Sequence, residues 1–174
     1  DVSDMLYGIF IEDISKAGDG GLVSNLVYNN SFEYNDTSEE NAALNESYWT
    51  FTNIDHKIST QDPMNENNTH YEELSVSGTG RITNLGCVEH WDYKTYDPNK
   101  KLQQTADMGF KEGLEYDFSC YIKNVDFDGT VQVYLDGDKN PASAYQLDIS
   151  NTKADWRKIE TTLKSAATED GGLT

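Results

Sequence analysis

Leu114-Glu115-Tyr116-Asp117-Phe118-Ser119-Cys120-Tyr121-Ile122-Lys123 alternates from end to end. Leu114, Tyr116, Phe118, Cys120 and Ile122 fall on one side, and Glu115, Asp117, Ser119, Tyr121 and Lys123 on the other. Successive side chains of a strand point to opposite faces, so this period of two reads as a half-buried antiparallel strand. Working outward, residues 130–135 repeat the pattern, with Val131, Val133 and Leu135 inward and Gln132 and Tyr134 outward. Residues 145–149 and 157–163 downstream, and 48–52, 71–77 and 81–85 upstream, read as further short strands. Turn chemistry separates them at Gly78-Thr79-Gly80, at residues 126–129 and at residues 136–141. Short strands, frequent turns and no long helix predict an all-β fold, a jelly-roll β-sandwich.

The N-terminal part reads differently. Met5-Leu6-Tyr7-Gly8-Ile9-Phe10-Ile11 is a continuous apolar run. That pattern suits a strand covered on both faces, as in a parallel barrel, and not a sandwich edge. After a Gly-rich turn at residues 18–21, Leu22, Val23, Leu26 and Val27 have helical spacing, which predicts one or two helical turns over residues 22–28. Residues 35–46 are polar and predict a loop. Residues 86–110 form a long insertion carrying Trp91, Tyr93 and Tyr96. A connection of that length inside a compact sandwich is commonly functional.

Charge narrows the classes of function. The 174 residues carry 13 Lys+Arg against 31 Asp+Glu, a formal charge of -18. A nucleic-acid binder draws its affinity from cations that neutralise phosphates, and an anionic membrane surface attracts basic segments. Both are excluded as partners. No apolar run approaches the roughly 18 residues of a membrane-spanning helix. With 11 Tyr and 3 Trp the chain is too aromatic for a disordered acidic segment. Cys87 and Cys120 are too few for a disulfide scaffold and read as two free thiols. The chain opens at Asp1 with no charged-then-apolar leader, so any leader is expected to be absent already. Asn29, Asn35, Asn45 and Asn67 each fit the glycosylation pattern, but in so Asn-rich a chain such matches arise by chance.

Three stretches carry a resemblance: Leu6-Tyr7-Gly8-Ile9-Phe10-Ile11-Glu12-Asp13-Ile14, then Ala17-Gly18-Asp19-Gly20-Gly21-Leu22, then Asn29-Asn30-Ser31-Phe32-Glu33. Together they resemble the start of family 51 glycoside hydrolases, the alpha-L-arabinofuranosidases, in the branch with an inserted carbohydrate-binding-like β-sandwich. The likeness runs on through residues 63–71 and 109–118 and reaches Trp156-Arg157-Lys158. The resemblance implies that residues 1–28 are the first strand and turn of a catalytic (β/α)8 barrel. Residues 29–174 would be the sandwich module, lacking its last strand. A retaining glycosidase needs two carboxyl groups about 5 Å apart. In this family they lie on later barrel strands, and Asn45-Glu46 and Asn65-Glu66 sit in polar loops here. This chain alone is therefore expected to be inactive. The expected function is a non-catalytic carbohydrate-binding-like module of a secreted or cell-surface alpha-L-arabinofuranosidase. Its expected partners are plant polysaccharide or oligosaccharide and the remainder of the parent enzyme. The alternative is a structural module that braces the barrel and binds no sugar.

The candidate site residues follow from the same reading. Glu12 ends the apolar strand, where barrel enzymes place substrate contacts, and the resemblance implies a sugar contact in the parent enzyme only. The resemblance also implies a structural calcium, with Glu33 as a ligand, since a hard cation takes carboxylate and carbonyl oxygens. Sugar rings stack on flat aromatic faces while amides and carboxylates bond the hydroxyls. Trp91, Tyr93 and Tyr96 on the insertion, and Tyr121, Gln132 and Tyr134 on outward strand faces, are the candidate platform. Trp49 and Trp156 read as packing residues. His56, His70 and His90 show no metal spacing and read as hydrogen-bonded surface residues.

Overall fold

The structure is a computed structural model and describes residues 25–33, 49–86, 108–137 and 144–174. The expected strand at Met5 to Ile11, Glu12, the 35–46 loop, Cys87, His90, and Trp91, Tyr93 and Tyr96 lie outside the described residues. Every regular element among the described residues is a strand, so the fold is all-β.

In chain order these are β1 (Trp49–Thr52), β2 (Asp55–Ser59), β3 (Tyr71–Ser75), β4 (Arg81–Asn84), β5 (Met108–Phe110), β6 (Glu115–Ile122), β7 (Val131–Val133), β8 (Leu135–Asp136), β9 (Tyr145–Leu147), β10 (Arg157–Lys164) and β11 (Glu169–Leu173). A five-stranded sheet runs β1-β4-β11-β5, with β8 also paired to β11. The pairs β6–β10, β2–β3 and β7–β9 form two-stranded sheets. All strand pairings among the described residues are antiparallel.

The alternating stretch is β6, and its residues alternate between exposed and half-buried along the whole strand. It pairs with β10 from Arg157↔Ile122 to Lys164↔Glu115. Among the described residues the core consists of Met108 and Phe110 from β5, Val133 from β7, Leu135 from β8, Leu147 from β9 and Leu163 from β10. Tyr116, Phe118, Cys120 and Ile122 of β6, Ile159 of β10 and Leu173 of β11 pack against it. The five-stranded sheet and the β6–β10 and β7–β9 pairs thus share one apolar layer, the arrangement of a β-sandwich. Each large aliphatic side chain buried there contributes about 1.5–3 kcal/mol.

Several elements depart from the expectation: residues 55–59, read without an element, form β2 against β3, and the expected strand 130–135 divides into β7 and β8. Residues 25–28 of the expected helical turns are not helical. They run as loop and turn, because the buried Asn84 side chain bonds both backbone groups of Tyr28 and ties the segment to β4. The far end of the 86–110 insertion is strand β5, whose Met108 and Phe110 lie in the core. Residues 169–173, read without an element, form β11, which joins β4, β5 and β8.

Cys120 is a free, half-buried thiol, and burial pushes it up to about 11. It behaves as a small apolar residue of the core face and not as a nucleophile.

Candidate functional site

Glu33 lies at the end of the segment 25–33 and reaches across to the start of β3. Its Oε1 accepts the His70 backbone N–H at 2.9 Å and its Oε2 lies 2.6 Å from His70 Nδ1. A carboxylate only accepts, so Nδ1 carries the proton. The Thr69 hydroxyl adds donor contacts at 3.3 and 3.5 Å. The backbone bond from His70, then its imidazole, hold the Glu33 carboxyl below the usual carboxylate range. Calcium needs several converging oxygens. Glu33 is surrounded instead by hydrogen-bond donors, and no group of three or more His, Cys, Asp or Glu converges among the described residues.

A depressed folded pKa makes the latch stabilising above the carboxylate range, and that contribution is lost as pH falls through the folded value. The melting temperature of Glu33→Gln should therefore lie below that of the parent chain near pH 6, and the two should converge toward pH 3. A gap that stays constant with pH would exclude the latch.

The same segment is held twice more. Trp49 Nε1 donates to the Asn29 carbonyl at 3.2 Å, and the Phe32 and Trp49 rings lie 5.2 Å apart. At the opposite end of the hairpin, His56 stacks on Phe51 at 3.6 Å and bonds Glu72 through Nδ1 at 2.8 Å. Trp156 meets the Tyr71 ring edge-on at 5.1 Å and donates Nε1–H to the Asp62 carbonyl. Lys123 binds the Asp62 carboxylate, and Tyr71 O–H donates to the Gln61 carbonyl at 2.7 Å. Trp49, Trp156, His56 and His70 are therefore packing and hydrogen-bonding residues, as read from the sequence.

The outward platform residues do not share one sheet. Tyr121 stands on β6 opposite Lys158 and is 50% exposed. Gln132 on β7 faces Gln146 on β9, and both are exposed. Beside this pair an open depression of about 400 Å³ is lined by Gly129, Thr130, Gln146, Leu147, Asp148, Ile149 and Ser150. Tyr134 follows β7, but its backbone N–H and C=O both bond Thr174 at the end of the five-stranded sheet. The Arg81 guanidinium lies over its ring, 5.8 Å from the centroid. A lone Arg at the start of a strand carries no signal until register places it beside an aromatic ring.

Comparison with known proteins gives one informative likeness. The chain is 27% identical over 171 residues, 98% of its length, to an extracellular exo-alpha-L-arabinofuranosidase of Streptomyces chartreusis. It spans 18% of that protein. No family profile matches the chain, and no solved structure matches it. No helix among the described residues is long and apolar enough to cross a membrane.

Proposed function

We propose that this chain is a non-catalytic, carbohydrate-binding β-sandwich module of a secreted alpha-L-arabinofuranosidase acting on arabinose-containing plant polysaccharides. The observation that carries the reading is the likeness over 98% of the chain to a secreted enzyme of which it spans only 18%. An all-β module joined to a much larger hydrolase fits the role of holding polysaccharide near a catalytic domain elsewhere in the same polypeptide. Family 51 membership of the parent, the barrel origin of residues 1–28 and a sugar contact by Glu12 belong to the same proposal. Trp91, Tyr93, Tyr96, Tyr121, Gln132 and Tyr134 supply its stacking and hydrogen-bonding groups. A structural calcium at Glu33 belongs to it too, and would show as a rise in melting temperature on adding Ca²⁺ that Glu33→Gln abolishes.

The test is affinity electrophoresis of the chain in gels containing arabinoxylan or arabinan, with turnover of an aryl arabinofuranoside measured in parallel. The expected result is retardation without turnover, weakened about tenfold by Trp91→Ala or Tyr93→Ala and less by Tyr121→Ala. Turnover that is lost on changing a carboxylate within residues 1–174 would refute the non-catalytic role. The separation of Tyr121 from Tyr134 on different sheets favours a second reading, a module that braces the barrel and binds no sugar. Absence of retardation in every polysaccharide, with loss of stability when the module is deleted from the parent enzyme, would establish that reading instead.

A further inference from the structure

The register of the five-stranded sheet sorts its side chains. Leu173 is paired with Asn84 on one side and Leu135 on the other, and both Leu135 and Leu173 face the core. Residues one step away therefore face outward. On that outer face lie Thr50 and Thr52 of β1, Arg81 and Thr83 of β4, Gly172 of β11 followed by Thr174, and Asp136 of β8 with Tyr134 before it. The face is polar and, at Gly172, carries no side chain at its centre.

A hydrogen-bond relay fixes one carboxylate on this face. Thr174 Oγ1 donates to Asp136 Oδ2 at 2.8 Å, and Thr83 and Thr174 hydroxyls lie 2.6 Å apart. Each hydroxyl has one proton and Asp136 only accepts, so Thr83 must donate to Thr174. The relay crosses three adjacent strands and locks Asp136 in one orientation. Arg81 Nη1 lies 3.6 Å from the same Oδ2, too far for a hydrogen bond. Asp136 Oδ1, the Arg81 fork and the Tyr134 hydroxyl have no hydrogen-bond partner among the described residues. A fixed acceptor, a planar set of donors and an aromatic ring thus converge at the accessible part of this face, where Arg81 is exposed and Asp136 and Tyr134 are half-buried, while Thr83 and Gly172 beside them are buried.

We infer that this face is a subsite for a neutral sugar ring, with Asp136 and Arg81 binding a pair of vicinal hydroxyls and Tyr134 contacting the ring's apolar side. The inference rests on the carbohydrate-binding reading above and assigns it a place and a ligand chemistry. Adjacent hydroxyls present a donor and an acceptor side by side, which matches one carboxylate oxygen beside one guanidinium N–H. Asp136 and the charge of -18 disfavour an acidic glycan.

The experiment is an amide-shift titration of the chain with a neutral arabinoxylan oligosaccharide, repeated for Arg81→Met, Asp136→Asn and Tyr134→Ala. The expected result is shift changes at Thr83, Gly172 and Thr174 and at least tenfold weaker binding by each variant. Asp136→Asn keeps an acceptor for Thr174, and Arg81→Lys keeps the charge without the fork, so both separate recognition from folding. Methylating the vicinal hydroxyls of the oligosaccharide should remove binding. Binding whose shifts fall on β6 and β10, with Arg81→Met and Asp136→Asn unaffected, would overturn this subsite and leave the binding reading intact. No binding by the parent chain would refute the binding reading itself, and the subsite with it.

Discussion

Replacing Gly171 by Ala should destabilise the sheet by about 3 kcal/mol or more, a fall in melting temperature of about 10 °C for a domain of this size. Gly171 is buried on β11, opposite Met108. A methyl group there would lie 2.5 Å from the Asp136 carbonyl oxygen and 2.7 Å from Cε2 of Phe110. The first obstacle is backbone of a neighbouring strand. The second is a core ring only 3% exposed. Neither can withdraw without breaking the β11–β8 pairing or opening the core. Gly109→Ala is the control, because its methyl would meet only Asp170 Oδ1 at 3.9 Å, an ordinary contact. Thermal melts of the two variants should differ by nearly the whole effect. Equal melts would mean that β11 is not packed between these neighbours.

Asn84→Leu should cost about 3–5 kcal/mol. Asn84 is fully buried, and its amide serves three backbone groups: it donates to the Tyr28 carbonyl at 2.9 Å and accepts from Tyr28 N–H at 3.2 Å and Gly86 N–H at 3.0 Å. Leu has the same branched heavy-atom skeleton but bulkier methyl groups, so the loss combines polar groups left without partners, about 1–3 kcal/mol for each that stays buried, with some overpacking. Asn84→Asp keeps the acceptor for the two N–H groups but sets a buried carboxyl oxygen against the Tyr28 carbonyl, and should destabilise the chain as well. Urea unfolding measures all three. A change under about 1 kcal/mol for Asn84→Leu would show that residues 25–33 are held by Trp49 and Glu33 alone.

What the sequence discloses follows from how local each signal is. Residues 114–123 announce β6 because alternation is written in adjacent residues and one face is buried along the whole strand. Residues 131–135 do the same for Val133 and Leu135, although the stretch divides between two sheets at Tyr134. Glu169-Asp170-Gly171-Gly172-Leu173 resists the same reading, since acidic residues and glycines are poor strand formers. It is a strand because its neighbours approach too closely for side chains, and that is a long-range property. The 22–28 stretch fails for the opposite reason. Its apolar spacing is real, but a side chain 56 positions away at Asn84 outbids the local preference over residues 25–28. Among the candidate site residues, Tyr121, Gln132 and Tyr134 were legible as outward by alternation alone. Their separation onto different sheets, and the juxtaposition of Arg81, Asp136 and Thr174, depend on strand pairing that no local pattern encodes.

The position of β11 also sets a schedule for biosynthesis. β4, β5 and β8 all leave the ribosome before the strand that joins them. Until residue 173 has emerged, Asn84 and Leu135 lack the partner that sits between them. Until then the nascent chain presents open strand edges, the state in which unpaired strands recruit the wrong neighbour. Its surplus of acidic side chains keeps such intermediates apart by mutual repulsion. Translation that stalls before residue 169 should release a protease-sensitive polypeptide, and protection should arrive abruptly once residues 169–173 have left the ribosome.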